Sequence, residues 1–342
     1  MGNWSLKTPL IGAVMLVLAS CGEDKSRKIT PPPSKEAPKN VIEILDVPSF
    51  DRDSAYAFVE KQVAFGPRVP NTESHKACAD WLTKTFERFG LKTTVQKASV
   101  TAYNNEKLSI FNIMGQWKPE LQNRILLCAH WDTRPYADRD TKDRNKPIDG
   151  ANDGGSGVGV LIELARVIAM DSSLHHVGID FILFDAEDYG KPQTSMFGSN
   201  SSNTWCLGSQ YWAKNIPFEN YRPRYGILLD MVGAPNAVFP RELKSVEYAP
   251  DVVDQVWNTA HSMGYKDYFS NVKGNPVIDD HIYLNSIAKI PTIDIIHYDM
   301  FRNDFGSFHH THDDNMDGID ATTLGVVGEV LLQVLYQENK PS

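Results

Sequence analysis

The 342-residue chain is long enough for one large domain or two ordinary ones, and its 42% hydrophobic and 23% charged composition is that of a globular protein. Residues 1–40 carry six Lys or Arg against three Asp or Glu, so the rest of the chain is more acidic than the overall net charge of −9. Such an acidic body gives no reason to propose nucleic acid as a partner.

The N-terminal segment has the features of an export signal. Lys7 precedes an apolar run, Leu10–Leu18, that is too short to span a membrane as a mature helix and is typical of a secretory signal. The run ends in Leu18-Ala19-Ser20-Cys21, which resembles the bacterial lipoprotein signal, in which cleavage leaves the cysteine as a lipid-modified N-terminus. An ordinary signal peptide that contains a cysteine is the alternative. We expect an exported lipoprotein, anchored to a membrane through lipid on Cys21 and facing the periplasm or the cell surface.

Residues 22–40 are rich in proline and lysine and contain almost no apolar side chains, which predicts a flexible spacer. We therefore expect a lipoprotein signal over residues 1–21, a linker over 22–40 and one catalytic domain over 41–342. The sequence assigns no disulfide among Cys78, Cys128 and Cys206, and it contains no CxxC pattern, which argues against a cysteine zinc site.

Helix and strand patterns alternate along the body of the chain. Apolar residues at helical spacing predict helices over Asp51–Phe65, Glu73–Phe89, Val158–Ala169, Ser209–Ala213, Pro250–Met263 and Ala321–Tyr336. Apolar or alternating runs predict strands over Lys92–Val100, Leu108–Met114, Arg124–His130, Ile179–Phe184, Tyr225–Asp230 and Ile290–Ile296. We expect loops over residues 132–152 and 189–207. This alternation indicates a single α/β domain with a central twisted, mostly parallel mixed sheet flanked by helices, and without internal repeats.

The strand that begins at Ile179 stops at three carboxylates, Asp185, Glu187 and Asp188. Taken alone, this pattern is equally compatible with a strand cap at the start of a surface loop and with a functional site. Ligands of open α/β sheets bind at the carboxyl ends of the strands. The choice therefore depends on whether other strand ends carry matching side chains.

Four other regions carry metal-type side chains at or just after strand ends. They are His130 with Asp132, Asp153, Asp230, and the loop Phe308-His309-His310-Thr311-His312-Asp313-Asp314-Asn315. A surface or capping role is the more common explanation for any one of them, but their joint placement predicts a metal site. Mixed histidine and carboxylate ligands suit zinc, whose catalytic sites use about three protein ligands and keep one position open. The adjacent acids Glu187 and Asp188 can point differently, so that one binds zinc while the other carries a proton.

The residues match a known superfamily in order and spacing. His130-Trp131-Asp132, Gly150-Ala151-Asn152-Asp153, Glu187-Asp188, Leu229-Asp230 and His310 resemble the zinc-dependent aminopeptidases. Three further segments resemble the glutaminyl cyclases, also called glutaminyl-peptide cyclotransferases, of that superfamily: Leu228–Asn236 followed by Phe239-Pro240, Val277–His281, and His310–Asn315. The aminopeptidases are not expected to share all three segments.

The resemblance implies one Zn²⁺ held by Asp153, Asp188 and His310. It implies that Glu187 is the acid and base in cyclisation of the N-terminal glutamine of peptides or proteins to pyroglutamate, with release of ammonia. It also implies that Asp230 and Asp279 form a hydrogen-bonded pair near the substrate amine.

The sequence departs from the animal cyclases at two places. Asp188 stands where those enzymes carry glutamate, and the tryptophans that line their pocket are not found at matching positions. Candidate side chains for the pocket wall are Trp205, Phe308, Trp131, His309 and His297. For the three aromatic candidates, ordinary packing is an equally good explanation.

Two other functions remain open at this level. A two-zinc aminopeptidase is one, because His130 and Asp230 are available for a second metal with Asp153 bridging, and His130 and Asp132 are therefore candidates either for that metal or for hydrogen-bonding support. A non-catalytic surface lipoprotein that keeps the fold for binding is the other, although a complete ligand set with a free Glu187 argues against it.

Overall fold

The computed structural model describes residues 42–171, 173–192 and 203–340. The predicted signal and linker therefore lie outside the described residues, as do residues 193–202 of the predicted loop after the acidic pair. Among the described helices, none is both long and apolar enough to cross a membrane.

A six-stranded mixed sheet forms the centre of the domain. The strands are β1 (Lys92–Thr101), β2 (Lys107–Trp117), β3 (Arg124–His130), β4 (Gly178–Phe184), β5 (Tyr225–Asp230), β6 (Phe239–Arg241), β7 (Phe269–Lys273) and β8 (Thr292–Ile296). Strands β6 and β7 form a separate two-stranded sheet. The order in the large sheet is β1-β2-β4-β3-β5-β8. The pairs β1–β2 and β2–β4 are antiparallel, and the other three pairs are parallel. The prediction of a mostly parallel mixed sheet is confirmed.

Helices flank this sheet. They are α1 (Arg52–Val63), α2 (Glu73–Arg88), α3 (Gly155–Met170), α4 (Leu207–Lys214), α5 (Leu243–Tyr248), α6 (Pro250–Ser262), α7 (Asp280–Tyr283) and α8 (Ala321–Gln337). The six predicted helices and six predicted strands are all present, with ends shifted by a few residues. The sequence analysis missed β6, α5, β7 and α7 because segments of three to six residues are too short to show a clear period.

The central strands are apolar on both faces because both faces are covered. Every residue of β3 is buried. Ile125, Leu127 and Ala129 belong to the large core, whereas Leu126 and Cys128 face a second core. Strands buried on both sides read as continuous apolar runs rather than alternating ones. The register places His130 opposite Phe184, so the segments that follow β3 and β4 leave the sheet side by side.

A buried ion pair holds the opposite ends of the same two strands. The guanidinium of Arg124 donates through Nε to Asp180 Oδ2 at 2.9 Å, and the hydroxyl of Tyr221 donates to the same oxygen at 2.7 Å. Gln116 Nε2 donates to Asp180 Oδ1 at 3.1 Å. Asp180 is fully buried, so its charge is balanced by the guanidinium of Arg124, while Tyr221 and Gln116 supply further hydrogen bonds.

Replacing Asp180 by alanine is expected to destabilise the fold by about 3–5 kcal/mol, because the guanidinium of Arg124 would stay buried without a counter-charge. The midpoint of urea unfolding measures the change. Asp254→Ala is the control, since it removes an exposed partner of Arg241 and is expected to change stability by less than about 1 kcal/mol. Equal effects of the two substitutions would contradict the argument.

Candidate metal and catalytic site

A pocket of about 670 Å³ opens at the carboxyl edge of the sheet. It is lined by eight of the residues predicted from the sequence: Asp153, Glu187, Asp188, Trp205, Asp230, Asp279, His309 and His310. The other lining residues were not among the predicted site residues: Arg134, Asp138, Arg139, Arg144, Met231, Val277, Ile278, Ile296, Tyr298, Asn303, Asp304 and Phe305. Most of these lie in loops, where no periodicity indicates which side chains turn inward.

The three predicted zinc ligands lie together although they come from three separate regions. His310 Nε2 is 3.2 Å from Asp188 Oδ1 and 3.8 Å from Asp153 Oδ2. Ligand atoms at roughly 2.0–2.2 Å from a tetrahedral zinc ion are about 3.3–3.6 Å from one another. The two separations from His310 are close to that spacing without any rearrangement of the chain.

The chemistry of this set fits a divalent cation. Asp188 Oδ2 is buried and has no hydrogen-bond partner among the described residues. Burial, reinforced by repulsion from Asp153, raises the pKa of the Asp188 carboxyl well above its usual range. A cation between the two carboxylates would remove this cost. One imidazole and two carboxylates form a ligand set that suits zinc.

His310 is held as a neutral ligand by its surroundings. Its Nδ1 is 3.6 Å from Asp138 Oδ1, which leaves Nε2 directed at the two carboxylates. Burial, together with the positive charge of Arg134, lowers the pKa of His310 to about 3. The indole of Trp205 stacks against the imidazole with ring centroids 5.7 Å apart. A carboxylate behind a metal-binding histidine is a common orienting partner.

Asp153 is positioned through its backbone by a residue that the sequence analysis left without a role. Asp314 accepts hydrogen bonds from the backbone N–H of Asn152 at 2.7 Å and of Asp153 at 3.1 Å. Asp314 is fully buried and follows His310 by four residues. The loop that carries the histidine ligand therefore also fixes the loop that carries Asp153.

A second set of metal-type atoms adjoins the first. His130 Nε2 is 3.0 Å from Asp153 Oδ1 and 3.2 Å from Asp230 Oδ1. Asp153 thus lies between the two sets, with one oxygen toward each. The geometry accommodates one ion or two.

Asp132 supports both sets without lining the pocket. Its Oδ1 accepts from the backbone N–H of Glu187 at 3.0 Å, and its Oδ2 accepts from that of Asp188 at 3.2 Å. Its Oδ1 is also 3.5 Å from His130 Nδ1. Of the two roles that the sequence left open for Asp132, the structure therefore favours hydrogen-bonding support.

Glu187 is buried beside the proposed zinc ligands. Burial raises the pKa of its carboxyl well above the usual range, and the charges of Asp279 and Asp188 add to this effect. A carboxylate with a raised pKa is a stronger base than an ordinary one, which suits transfer of protons in both directions. Ala186, with φ +51°, turns the chain directly before the acidic pair.

Asp230 and Asp279 both line the pocket but do not form the predicted hydrogen bond. Asp230 Oδ1 is engaged by His130, while Asp279 Oδ1 accepts from the backbone N–H of Asp280 at the start of α7. The remaining Asp279 Oδ2 has no partner among the described residues. The predicted hydrogen bond between the two acids is not formed, because each carboxylate bonds another group instead. Their charges still interact: burial, together with the charge of Asp279, raises the pKa of Asp230 to about 7.

The candidates for the pocket wall divide into two groups. Trp205 and His309 line the pocket. The structure does not support a wall role for Phe308 and His297, whose rings stack on each other outside the lining. Trp131 is fully buried and packs on the ring of His75.

Asp185, the first acid after β4, supports the turn. Both carboxylate oxygens lie 2.9 Å from His75 Nε2, and the backbone N–H groups of Phe111 and Ala186 also donate to this carboxylate. Asp185 is fully buried and does not line the pocket. The three acids that the sequence placed together thus have different surroundings.

Replacing Asp132 by alanine is expected to weaken zinc binding by about 10- to 100-fold, because the backbone N–H groups of Glu187 and Asp188 would lose their common acceptor. Competition with a zinc chelator measures the affinity. Asp143→Ala removes an exposed carboxylate from the loop that follows and serves as the control. Unchanged affinity in the Asp132 variant would contradict the supporting role.

Comparison with known proteins supports the fold and the superfamily that were predicted from the sequence. The model of the family described as Peptidase family M28 matches residues 112–335. A solved structure described as a Zn-dependent exopeptidase from Parabacteroides distasonis is 50% identical, with a TM-score of 0.82 over 85% of this chain and 99% of that chain. Glutaminyl cyclase from Tannerella forsythia is 51% identical, with a TM-score of 0.82 over 84% of this chain and 99% of that chain.

A more distant relative is glutaminyl-peptide cyclotransferase from Bos taurus, which is 25% identical over 259 residues, covering 68% of this chain and 67% of the bovine protein. The chain spans between 56% and 67% of the length of the curated relatives that it matches. The predicted fold class and the predicted resemblance to the glutaminyl cyclases are confirmed.

Proposed function

The chain belongs to peptidase family M28, a zinc-dependent family, and we propose that it converts the N-terminal glutamine of peptides or proteins to pyroglutamate and releases ammonia. The observation that carries this proposal is the position of Asp279. This acid belongs to the segment that resembles the cyclases rather than the peptidases, and it lines the same pocket as Glu187 and Asp230. The similarity to bacterial glutaminyl cyclases is in agreement with it.

The reaction joins the α-amine of glutamine to the carbon of its own side-chain amide. Zinc bound by Asp153, Asp188 and His310 would supply a Lewis acid that polarises the amide carbonyl. Glu187 takes a proton from the α-amine as the new N–C bond forms and gives it to the amide nitrogen as the old C–N bond breaks. The leaving group is ammonia, and no water is consumed.

The remaining acids of the pocket have a positioning task. Because the attack is intramolecular, the main requirement is to hold the amine close to the carbonyl and unprotonated. Asp230 and Asp279 are two carboxyl groups on one wall of the pocket, and burial raises the pKa of each. Such groups can accept a hydrogen bond from a neutral amine without demanding that it become an ammonium ion.

A peptidase function is the alternative that a specific observation favours. His130, Asp153 and Asp230 offer atoms that all lie within 4.8 Å of one another, which is the arrangement that a second zinc ion would need. One of the similar solved structures is described as a Zn-dependent exopeptidase. A cyclase with one zinc ion and a peptidase with two zinc ions therefore share nearly the same ligands.

Incubating the purified protein with a peptide that begins with glutamine separates these functions. We expect mass spectrometry to show a peptide that has lost one ammonia, together with about one zinc ion per chain by elemental analysis. Release of free glutamine, with two zinc ions per chain, would establish the peptidase instead. Absence of zinc and of any product would favour the non-catalytic binding protein.

Glu187→Gln is expected to lower kcat by roughly 10²- to 10⁴-fold, the range for loss of a general acid and base, while zinc stays bound. Turnover of the Gln-initiated peptide and zinc content are measured on the same sample. Glu60→Gln changes an exposed side chain of α1 and is the control. Normal turnover by the zinc-loaded Glu187 variant would remove Glu187 from the mechanism.

We further propose that the protein is exported and anchored to a membrane through a lipid on Cys21. The support is the sequence of the signal, since residues 1–41 lie outside the described part of the structure. Such an enzyme would meet exported peptides or proteins with N-terminal glutamine. Cys21→Ala is expected to abolish incorporation of labelled fatty acid into the protein, and unchanged labelling would argue against the anchor.

A further inference from the structure

Cys206 contacts the carboxyl group that the proposed mechanism uses to move protons. Its Sγ is 3.0 Å from Glu187 Oε1, and the side chain is fully buried. No other hydrogen bond to either carboxyl oxygen of Glu187 is present among residues 42–171, 173–192 and 203–340. The orientation of this carboxyl therefore depends on one thiol.

The backbone brings the thiol to this position. The N–H of Cys206 donates to the carbonyl of Glu187 at 2.9 Å, and the N–H of Leu207 donates to the carbonyl of Ala186 at 2.9 Å. Two consecutive backbone hydrogen bonds thus join the start of α4 to the turn that carries Glu187. The side chains of Cys206 and Glu187 meet on the same side of this junction.

The backbone conformation of Cys206 is unusual and is stabilised by hydrogen bonds. The residue has φ +56° and ψ +38°, the left-handed region that non-glycine residues seldom occupy. Its carbonyl accepts from the N–H of Gln210 at 3.0 Å and from the hydroxyl of Ser209 at 3.1 Å. Backbone in this region persists where its surroundings determine it and is common near functional sites.

We propose that Cys206 is a positioning residue whose S–H group donates a hydrogen bond to Glu187 Oε1 and holds that carboxyl toward the reacting amine. This inference rests on the proton-transfer role proposed for Glu187. Burial raises the pKa of the Cys206 thiol well above its usual value, so the sulfur keeps its hydrogen and remains a donor. A neutral thiol can position a carboxyl without adding a charge to a pocket that is already rich in acids.

Substitutions at Cys206 separate positioning from packing. Cys206→Ala removes the donor and is expected to lower kcat by roughly 2- to 10-fold with little change in KM, in line with the loss of one hydrogen bond. Cys206→Ser restores a donor and is expected to recover most of kcat, although its hydroxyl is smaller than the thiol. A loss shared equally by the alanine and serine variants would overturn the proposal.

Cys128→Ala is the matched control. Cys128 is also fully buried, and its Sγ lies 3.6 Å from the carbonyl oxygen of Ile227 in β5, within the core. Its replacement removes the same atom from a thiol that faces a backbone carbonyl of the core instead of Glu187. We expect its kcat and KM per folded molecule to match those of the unmodified protein, and an equal fall in kcat would show that Cys206 acts only through packing.

A vibrational measurement tests the contact without relying on turnover. The S–H stretching band that disappears in Cys206→Ala is expected at lower frequency than the band that disappears in Cys128→Ala, because its hydrogen bond is shorter and has a carboxyl acceptor. Glu187→Ala should move the Cys206 band to higher frequency and leave the Cys128 band in place. A Cys206 band unaffected by Glu187→Ala would refute the hydrogen bond.

The kinetic comparison also distinguishes failure of this inference from failure of the proposed function. If the unmodified protein released free glutamine from the peptide, cyclisation would be disproved, and the same variants would be compared on that hydrolysis. The dependence of kcat on a donor at residue 206 would then still support or contradict the positioning role.

Discussion

Repulsion among buried carboxylates at one edge of the sheet is the constraint on which the site depends. Asp153, Asp188 and Asp230 lie within a few ångströms of the imidazoles of His130 and His310, and burial raises the pKa of Asp188 and Asp230. Charges buried this deeply require a counter-charge or a proton. A zinc ion would supply the counter-charge for Asp153 and Asp188, while the acids beside them can hold a proton.

Other buried acids make this arrangement rigid. Asp132 and Asp314 accept backbone hydrogen bonds from the segments that carry the ligands, and Asp138 faces the outer nitrogen of His310. The oxygens of Asp132 and Asp314 are occupied by these backbone groups, and those of Asp138 accept hydrogen bonds from Arg134. The ligands and the proposed proton carrier are therefore held by the protein before any substrate arrives, which is the preorganisation that acid–base chemistry at a metal needs.

The neighbouring acids after β4 are similar in residue type but have different contacts. Asp185 is engaged by His75, Asp188 faces His310, and Glu187 meets the thiol of Cys206. A carboxylate that supports a turn, one that faces metal-type atoms and one that contacts a thiol thus occur within four residues. Their surroundings come from α2, the loop before α8 and the start of α4, so the different roles proposed for them are assigned by distant parts of the chain.

The sequence by itself determined the architecture and most of the site. Long apolar runs such as Arg124–His130 and Tyr225–Asp230 were placed correctly, and the metal-type residues at their ends, His130 and Asp230, lie 3.2 Å apart because parallel strands end at the same edge. Only the tertiary structure decided which side chains touch. The structure gave Asp279 and Asp230 different hydrogen-bond partners and placed Phe308 and His297 outside the pocket. It also placed Arg134 and Asp138 in the pocket lining and Cys206 against Glu187. The spacing of apolar residues in a strand shows which side chains are buried locally. These contacts join loops that are far apart in sequence, and loops have no repeating pattern from which their paths could be predicted.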